Sequence, residues 1–195
     1  MRTFAAFLFL TAGFVFADEV NTPAPELDIK MENGQMVKLS QFKGKPLVLQ
    51  FFSTTCPHCQ KSAESVERML RTYSSKGVQV LAVVSDESQR KDFPEFRRKY
   101  GATYPMGSVG NQEANRFFSL SVMRPFYVPT FAFIDKTGVI RERFIGGLLQ
   151  NNPNGGPAAE YAELTKHVDG LLKAAPVKSA AVAPAPKSTP AQAKR

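Results

Sequence analysis

Residues 46–59, Pro-Leu-Val-Leu-Gln-Phe-Phe-Ser-Thr-Thr-Cys-Pro-His-Cys, decide how the rest of the chain is read. Pro46 to Phe52 is a short apolar run, the pattern of a strand buried on both faces. Directly after it stand Cys56 and Cys59, the only two cysteines in 195 residues. Beyond them Ala63, Val66, Met69, Leu70 and Tyr73 recur at helical spacing, and Gly77 marks the stop. Val78 to Val84 (VQVLAVV) then reads as a second buried strand. Strand, helix, strand implies a parallel pair joined by a right-handed crossover. The cysteines therefore fall where a buried strand hands over to a helix N-terminus.

That place has a definite chemistry. The first turn of a helix carries unpaired N–H groups and the positive end of the macrodipole, so an anion is stabilised there. A thiolate is the nucleophile of disulfide exchange, and such a position favours it. Cys56 is expected to be the exposed attacking sulfur, and Cys59, one turn in, the resolving one. Pro57 suits the first helical turn because its missing donor would be unpaired anyway. His58 can bring an imidazole near the thiolate and tune it. Three other readings apply to a Cys-Pro-His-Cys pair. A structural disulfide would close so small a loop that it constrains the unfolded chain little. A zinc or copper site would need two further ligands, and the only other histidine is His167, so no metal is expected. A peroxidatic cysteine with a resolving partner would make the chain a thiol peroxidase, with Ser53, Thr54 and Thr55 as nearby hydroxyls.

Outward from this centre, Asn33-Gly34 between Glu26–Met31 and Gln35–Leu39 predicts an N-terminal hairpin. Ser88 to Tyr100 predicts a charged amphipathic helix ended by Gly101, and Asn111 to Leu120 another. Thr130–Ile134 and Val139–Ile145, separated by Asp135-Lys136-Thr137-Gly138, predict a second hairpin. Pro157 to Leu172 predicts a closing helix, and Asn151–Gly156 a polar loop. The sum is an α/β chain with a mixed sheet between helices.

The ends read differently. Arg2, the apolar run Phe4–Phe16 and then Ala17-Asp18-Glu19 describe a secretory signal over residues 1–17. The run is shorter than the ~20 residues of a spanning helix, so cleavage is expected over retention as an anchor. Residues 18–25 read as a lead-in and 26–174 as the folded domain. Residues 175–195, rich in Ala, Pro and Lys, carry too few large apolar groups to offset ordering entropy and are expected to be disordered. Of the net charge of +8, five units lie after Leu172 and one at Arg2, which leaves a nearly balanced body and gives no support for nucleic-acid binding. The basic tail is a candidate for weak contact with membrane or cell-wall polymer.

With these residues in hand, the chain resembles the TlpA/ResA-like branch of the thioredoxin superfamily, exported thiol–disulfide oxidoreductases. The resemblance runs over roughly residues 24–147. It is carried by Leu39-Ser40-Gln41-Phe42-Lys43-Gly44-Lys45-Pro46, by Phe51-Phe52-Ser53-Thr54-Thr55 leading into Cys56 and Cys59, by Tyr104-Pro105, by Val128-Pro129-Thr130, and by Phe133 to Ile140. It implies a thioredoxin-like sheet with an N-terminal hairpin and a central helix/strand insertion. It implies that Pro129 is a cis-proline facing the cysteines, and that Val128, Pro129 and Thr130 bind an extended substrate segment. It implies protein thiols and disulfides of the cell envelope as partners, a membrane electron donor among them, and a periplasmic or extracytoplasmic monomer. No organic cofactor is required, since the Cys56–Cys59 disulfide carries both electrons.

The chain also departs from that pattern. Relatives carry Trp where Thr55 stands, a buried carboxylate where Gln50 stands, and often Glu where Ser62 stands. Glu64 is near but should face another way along the helix. Proton handling is thus left without an assigned residue. Pro57-His58 resembles the dipeptide of oxidising DsbA-like proteins, whereas the scaffold implies a reductant. Met123-Arg124-Pro125-Phe126-Tyr127 is a long approach to Val128, its aromatics fit for either a partner or the core.

Overall fold

The structure, a computed structural model, describes residues 21–120, 126–149 and 154–174. The signal expected over 1–17 and the tail over 175–195 lie outside the described residues. So do 121–125 and 150–153, which include Met123, Arg124, Pro125 and part of the polar loop.

Among the described residues eight strands form one mixed sheet. In chain order they are β1 (Thr22–Pro23), β2 (Asp28–Met31), β3 (Met36–Lys38), β4 (Leu47–Phe52), β5 (Gln79–Val84), β6 (Met106–Ser108), β7 (Thr130–Ile134) and β8 (Val139–Phe144). Across the sheet their order is β1-β8-β7-β4-β5-β6-β2-β3. β4 pairs in parallel with β5 and antiparallel with β7, so the apolar run ahead of the cysteines is a central strand. Four helices pack on the sheet: α1 (Pro57–Tyr73), α2 (Phe93–Tyr100), α3 (Asn111–Phe117) and α4 (Gly156–Lys173).

Alternation along β4 sorts the two layers of the core. Val48 and Phe52 point to one face, where Ala63, Val66 and Met69 of α1, Phe93 and Phe96 of α2, and Leu164, Val168 and Leu171 of α4 cover them. Leu47, Leu49 and Phe51 point to the other, against Ala114 and Phe117 of α3 and Leu27 and Ile29 of the hairpin. Each large apolar side chain buried this way contributes about 1.5–3 kcal/mol. Gln50 lies on the first face with Val48 and Phe52 and is only 1% exposed, a polar side chain beneath α1.

The expected helix over 88–100 is in fact two elements, a 3-10 stretch at Glu87–Asp92 and then α2. Pro94 explains the break. It has no N–H to offer the fourth carbonyl back, so it is accommodated only in a first turn. The helix expected over 111–120 ends at Phe117. Ser119 adopts a left-handed φ of 52°, and Ser119 and Leu120 donate back to the carbonyls of Arg116 and Asn115, a Schellman ending. β6 was not foreseen as a strand. Its three residues, Met-Gly-Ser, show no alternation, yet they join the hairpin to the sheet by pairing with both β5 and β2.

Candidate active site

β4 runs out at Phe52, and a three-residue turn carries the chain to Cys56, which is the N-cap of α1 in extended conformation with Pro57 inside the first turn. Polar side chains fix that turn. The Thr54 backbone N–H and hydroxyl both donate to Oε1 of Gln89, at 2.8 and 3.1 Å. Gln60 Nε2 donates to the Thr54 carbonyl at 2.8 Å. The Ser53 and Thr55 hydroxyls lie 3.1 Å apart. The hydroxyls ahead of Cys56 are thus occupied in shaping the turn.

Antiparallel pairing of Phe51 with Thr130 brings the start of β7 beside this turn. The Val128–Pro129 peptide bond is cis. Cys56 Sγ, half-buried, donates to the Val128 carbonyl at 3.6 Å. Thr130 is fully buried, and its hydroxyl donates to the Tyr127 carbonyl at 2.6 Å and accepts from Gly146 N at 3.3 Å. Its side chain therefore holds the loop in place. Phe126 turns inward to stack edge-on against Phe51, while Tyr127 is 61% exposed, so the two aromatics of that approach divide between core and surface.

Both thiols are free. Cys59 is 1% exposed, and burial pushes its thiol far above the ordinary range. A Ser53 backbone hydrogen bond works against that shift, while the Cys56 sulfur and the Glu160 carboxylate add to it. Pro57 and His58 are exposed at the helix mouth.

Behind Cys59 the structure places a group that the sequence reading passed over. Ser62, three residues on and equally buried, accepts from Gln50 Nε2 at 3.5 Å and donates to Glu160 Oε1 of α4 at 2.7 Å. Glu160 is 7% exposed, and burial raises its carboxyl above the usual range despite hydrogen bonds from Ser62 and Ser65 and the nearby His58. Glu64, by contrast, is exposed. The clue was available: Glu160, Leu164, His167, Val168 and Leu171 form one buried stripe of α4, with a carboxylate at its head.

A groove of about 450 Å³ opens beside the helix mouth, lined among others by His58, Val128, Pro129, Gly147, Leu148 and Glu160. His167 lies elsewhere on α4, its Nδ1 2.6 Å from Glu142 and its ring against Phe133 and Phe144. Among the described residues no three His, Cys, Asp or Glu side chains are grouped to hold a metal ion, and no helix is long and apolar enough to cross a membrane.

Comparison with known proteins agrees with this geometry. The model of the AhpC/TSA family matches residues 20–143. The thiol-disulfide oxidoreductase ResA of Bacillus thuringiensis (strain Al Hakam) is 28% identical over 141 residues, 70% of this chain and 78% of the relative. ResA of Geobacillus kaustophilus (strain HTA426) is 23% identical over 133 residues, covering 68% and 73%. Among solved structures, a thiol:disulfide interchange protein of the thioredoxin family from Chlorobium tepidum TLS superposes with a TM-score of 0.61 at 23% identity, covering 80% of this chain and 99% of its own.

Proposed function

The chain belongs to the AhpC/TSA family and is a thioredoxin-like thiol–disulfide oxidoreductase, and from that premise we propose that it exchanges disulfides with proteins of the cell envelope through Cys56 and Cys59. The observation that carries this reading is the pairing of a half-buried Cys56 at a helix N-cap with a Cys59 sealed three residues behind it. Cys56 attacks one sulfur of a partner disulfide, and the partner's other sulfur leaves as a thiol. Cys59 then attacks Cys56 in the mixed disulfide, the second partner sulfur leaves, and two electrons have passed from the dithiol to the partner. The reverse sequence oxidises a partner. No organic cofactor enters either direction.

The groove supplies the docking surface. Backbone groups of Val128 align an extended partner segment, Pro129 lies beneath it, and Thr130 contributes by fixing the loop. His58 faces the same space and assists the Cys56 sulfur. The apolar run at Phe4–Phe16 supports an extracytoplasmic site of action, where the protein works as a monomer supplied with electrons by a membrane donor.

The test separates the two sulfurs. Cys56→Ser should abolish reduction of a protein disulfide, whereas Cys59→Ser should accumulate a mixed disulfide visible on a non-reducing gel. Release of partner from the Cys59 variant as fast as from the parent would overturn the division of roles. Peroxide turnover by the Cys59 variant with an external thiol would favour a thiol peroxidase instead.

A further inference from the structure

Resolution of the mixed disulfide needs Cys59 as a thiolate, yet Cys59 is buried and strongly held in its protonated form. Some group must take that proton. The strand position beneath α1 holds Gln50, and the helix position one turn beyond Cys59 holds Ser62, neither of which is an acid–base group near neutral pH. Gln50 instead donates to the Ser62 hydroxyl, and Ser62 donates in turn to one carboxylate, Glu160, which arrives from α4 at the other end of the chain.

We propose that Glu160, acting through the Ser62 hydroxyl or a single bridging water, is the proton acceptor for Cys59 in the resolving step. The proposal rests on the dithiol reading above. Cys59 and Ser62 share one face of α1 at a spacing of three residues, and Ser62 reaches Glu160 at 2.7 Å. Among the described residues no lysine or arginine pairs with Glu160, whose hydrogen bonds come from hydroxyls. A buried carboxylate without a cation is costly, while a glutamine there could accept the same hydrogen bond at no charge cost. Such a position points to use of the proton. The groups that face Glu160 are His58, Cys59 and Ser65 from α1, Lys61 on the groove rim and the buried Tyr104 ahead of β6. β7 presents Phe131 and Phe133 on this face, and neither titrates.

The step balances. In the mixed disulfide of Cys56 with a partner, the Cys59 proton passes to the Glu160 carboxylate. The Cys59 thiolate attacks the Cys56 sulfur, the Cys56–Cys59 bond forms, and the bond from Cys56 to the partner breaks. The partner leaves as a thiolate, and Glu160 returns the proton to it or to solvent. Read backward, the Glu160 carboxylic acid protonates Cys59 as it is released from the disulfide. Because Glu160 also lines the groove, a docked partner covers it and displaces its remaining water, which makes the carboxylate a stronger base at the moment of need.

The experiment is a two-phase reaction of the reduced full chain with 5,5′-dithiobis(2-nitrobenzoate), followed by stopped flow from pH 5 to 9. Cys56 attack releases the first equivalent of chromophore, and Cys59 resolution releases the second. In Glu160→Gln the first phase is the internal reference against which the second is read. The second should slow by about a hundredfold at neutral pH, the lower range for a placed proton acceptor, and should rise tenfold per pH unit without a plateau. Ser62→Ala should slow the second phase by a smaller factor. In the parent, the second phase should show an inflection above the ordinary carboxylate range that Glu160→Gln removes. A second phase with the same rate and pH profile in parent and Glu160→Gln overturns the proposal. If Glu160→Gln fails to fold, a parent profile lacking the inflection overturns it equally. Absence of the first phase in the parent would instead overturn the dithiol reading.

Discussion

Glu160 and Asp135 are both buried carboxylates, and their surroundings drive them in opposite directions. Burial raises Glu160, and hydroxyl hydrogen bonds only soften the shift. Burial also acts to raise Asp135, but hydrogen bonds from Thr137, Val139 and Arg141 overcome it and leave the group below its usual value. The consequences for stability are therefore opposite in sign. Asp135 contributes stability that is present above about pH 4 and is lost as pH falls through its depressed value. Glu160 binds its proton more tightly folded than unfolded, so ionising it weakens the fold. Below its ordinary pKa of 4.5 that penalty is absent; it grows as pH rises toward the raised folded value and is constant beyond it. Glu160→Gln should accordingly unfold at a higher temperature than the parent at pH 8, with the gap closing near pH 4.5. Calorimetry of both proteins at the two pH values checks this, and a gap that is constant or reversed would contradict the assigned direction.

At the scale of an element, α3 shows how a helix can be stopped by backbone bonding without glycine. Ser119 takes the left-handed conformation that the Schellman ending requires, at φ 52°. A residue with a Cβ is disfavoured there by roughly 1–2 kcal/mol. Ser119→Gly should therefore stabilise the chain by about 0.5–1 kcal/mol, after allowance for the greater backbone freedom of glycine when unfolded. A urea midpoint that falls or stays fixed, with unchanged slope, would count against that account. The same ending was illegible in the sequence, because apolar Phe118 and Leu120 continue the helical pattern and no glycine or proline interrupts it. Pro94 was legible as a residue but was read inside a helix when it begins one. Long apolar strands and the Asn33-Gly34 turn were read correctly because burial on both faces and a positive φ at Gly34, here 84°, each demand particular residues. β6 escaped notice because its pairing is imposed by its neighbours.

Over the molecule as a whole, what the sequence could reveal of the site was the part contiguous in the chain. Cys56, Cys59 and their turn follow from one strand and one helix. Gln50 and Ser62 could be recognised as non-acids, but that Ser62 meets Glu160 depends on α4 lying across α1, a fact of tertiary packing. That docking rests on Leu164, Val168 and Leu171, which close the core face over Phe131 and Phe133. Leu164 is fully buried, and Leu164→Ala should cost about 2–5 kcal/mol. It should also slow the resolving phase while sparing the first, since only the former depends on where α4 sits. Urea titration and the two-phase assay on the same preparation test both outcomes, and an equal loss in the two phases would sever the link between this helix and Cys59.

Much of the groove wall and the buried carboxylate come from residues 146–149 and 154–160, about a hundred positions after the sulfurs they serve. A polypeptide emerging N-terminus first presents both thiols well before that wall exists, an interval of about 5–20 s at typical rates of synthesis. During it, on the Glu160 assignment, an adduct captured by Cys56 resolves only at the slower rate that goes with a missing carboxylate. Completion of the last helix is then the event that brings the dithiol to its full rate of exchange.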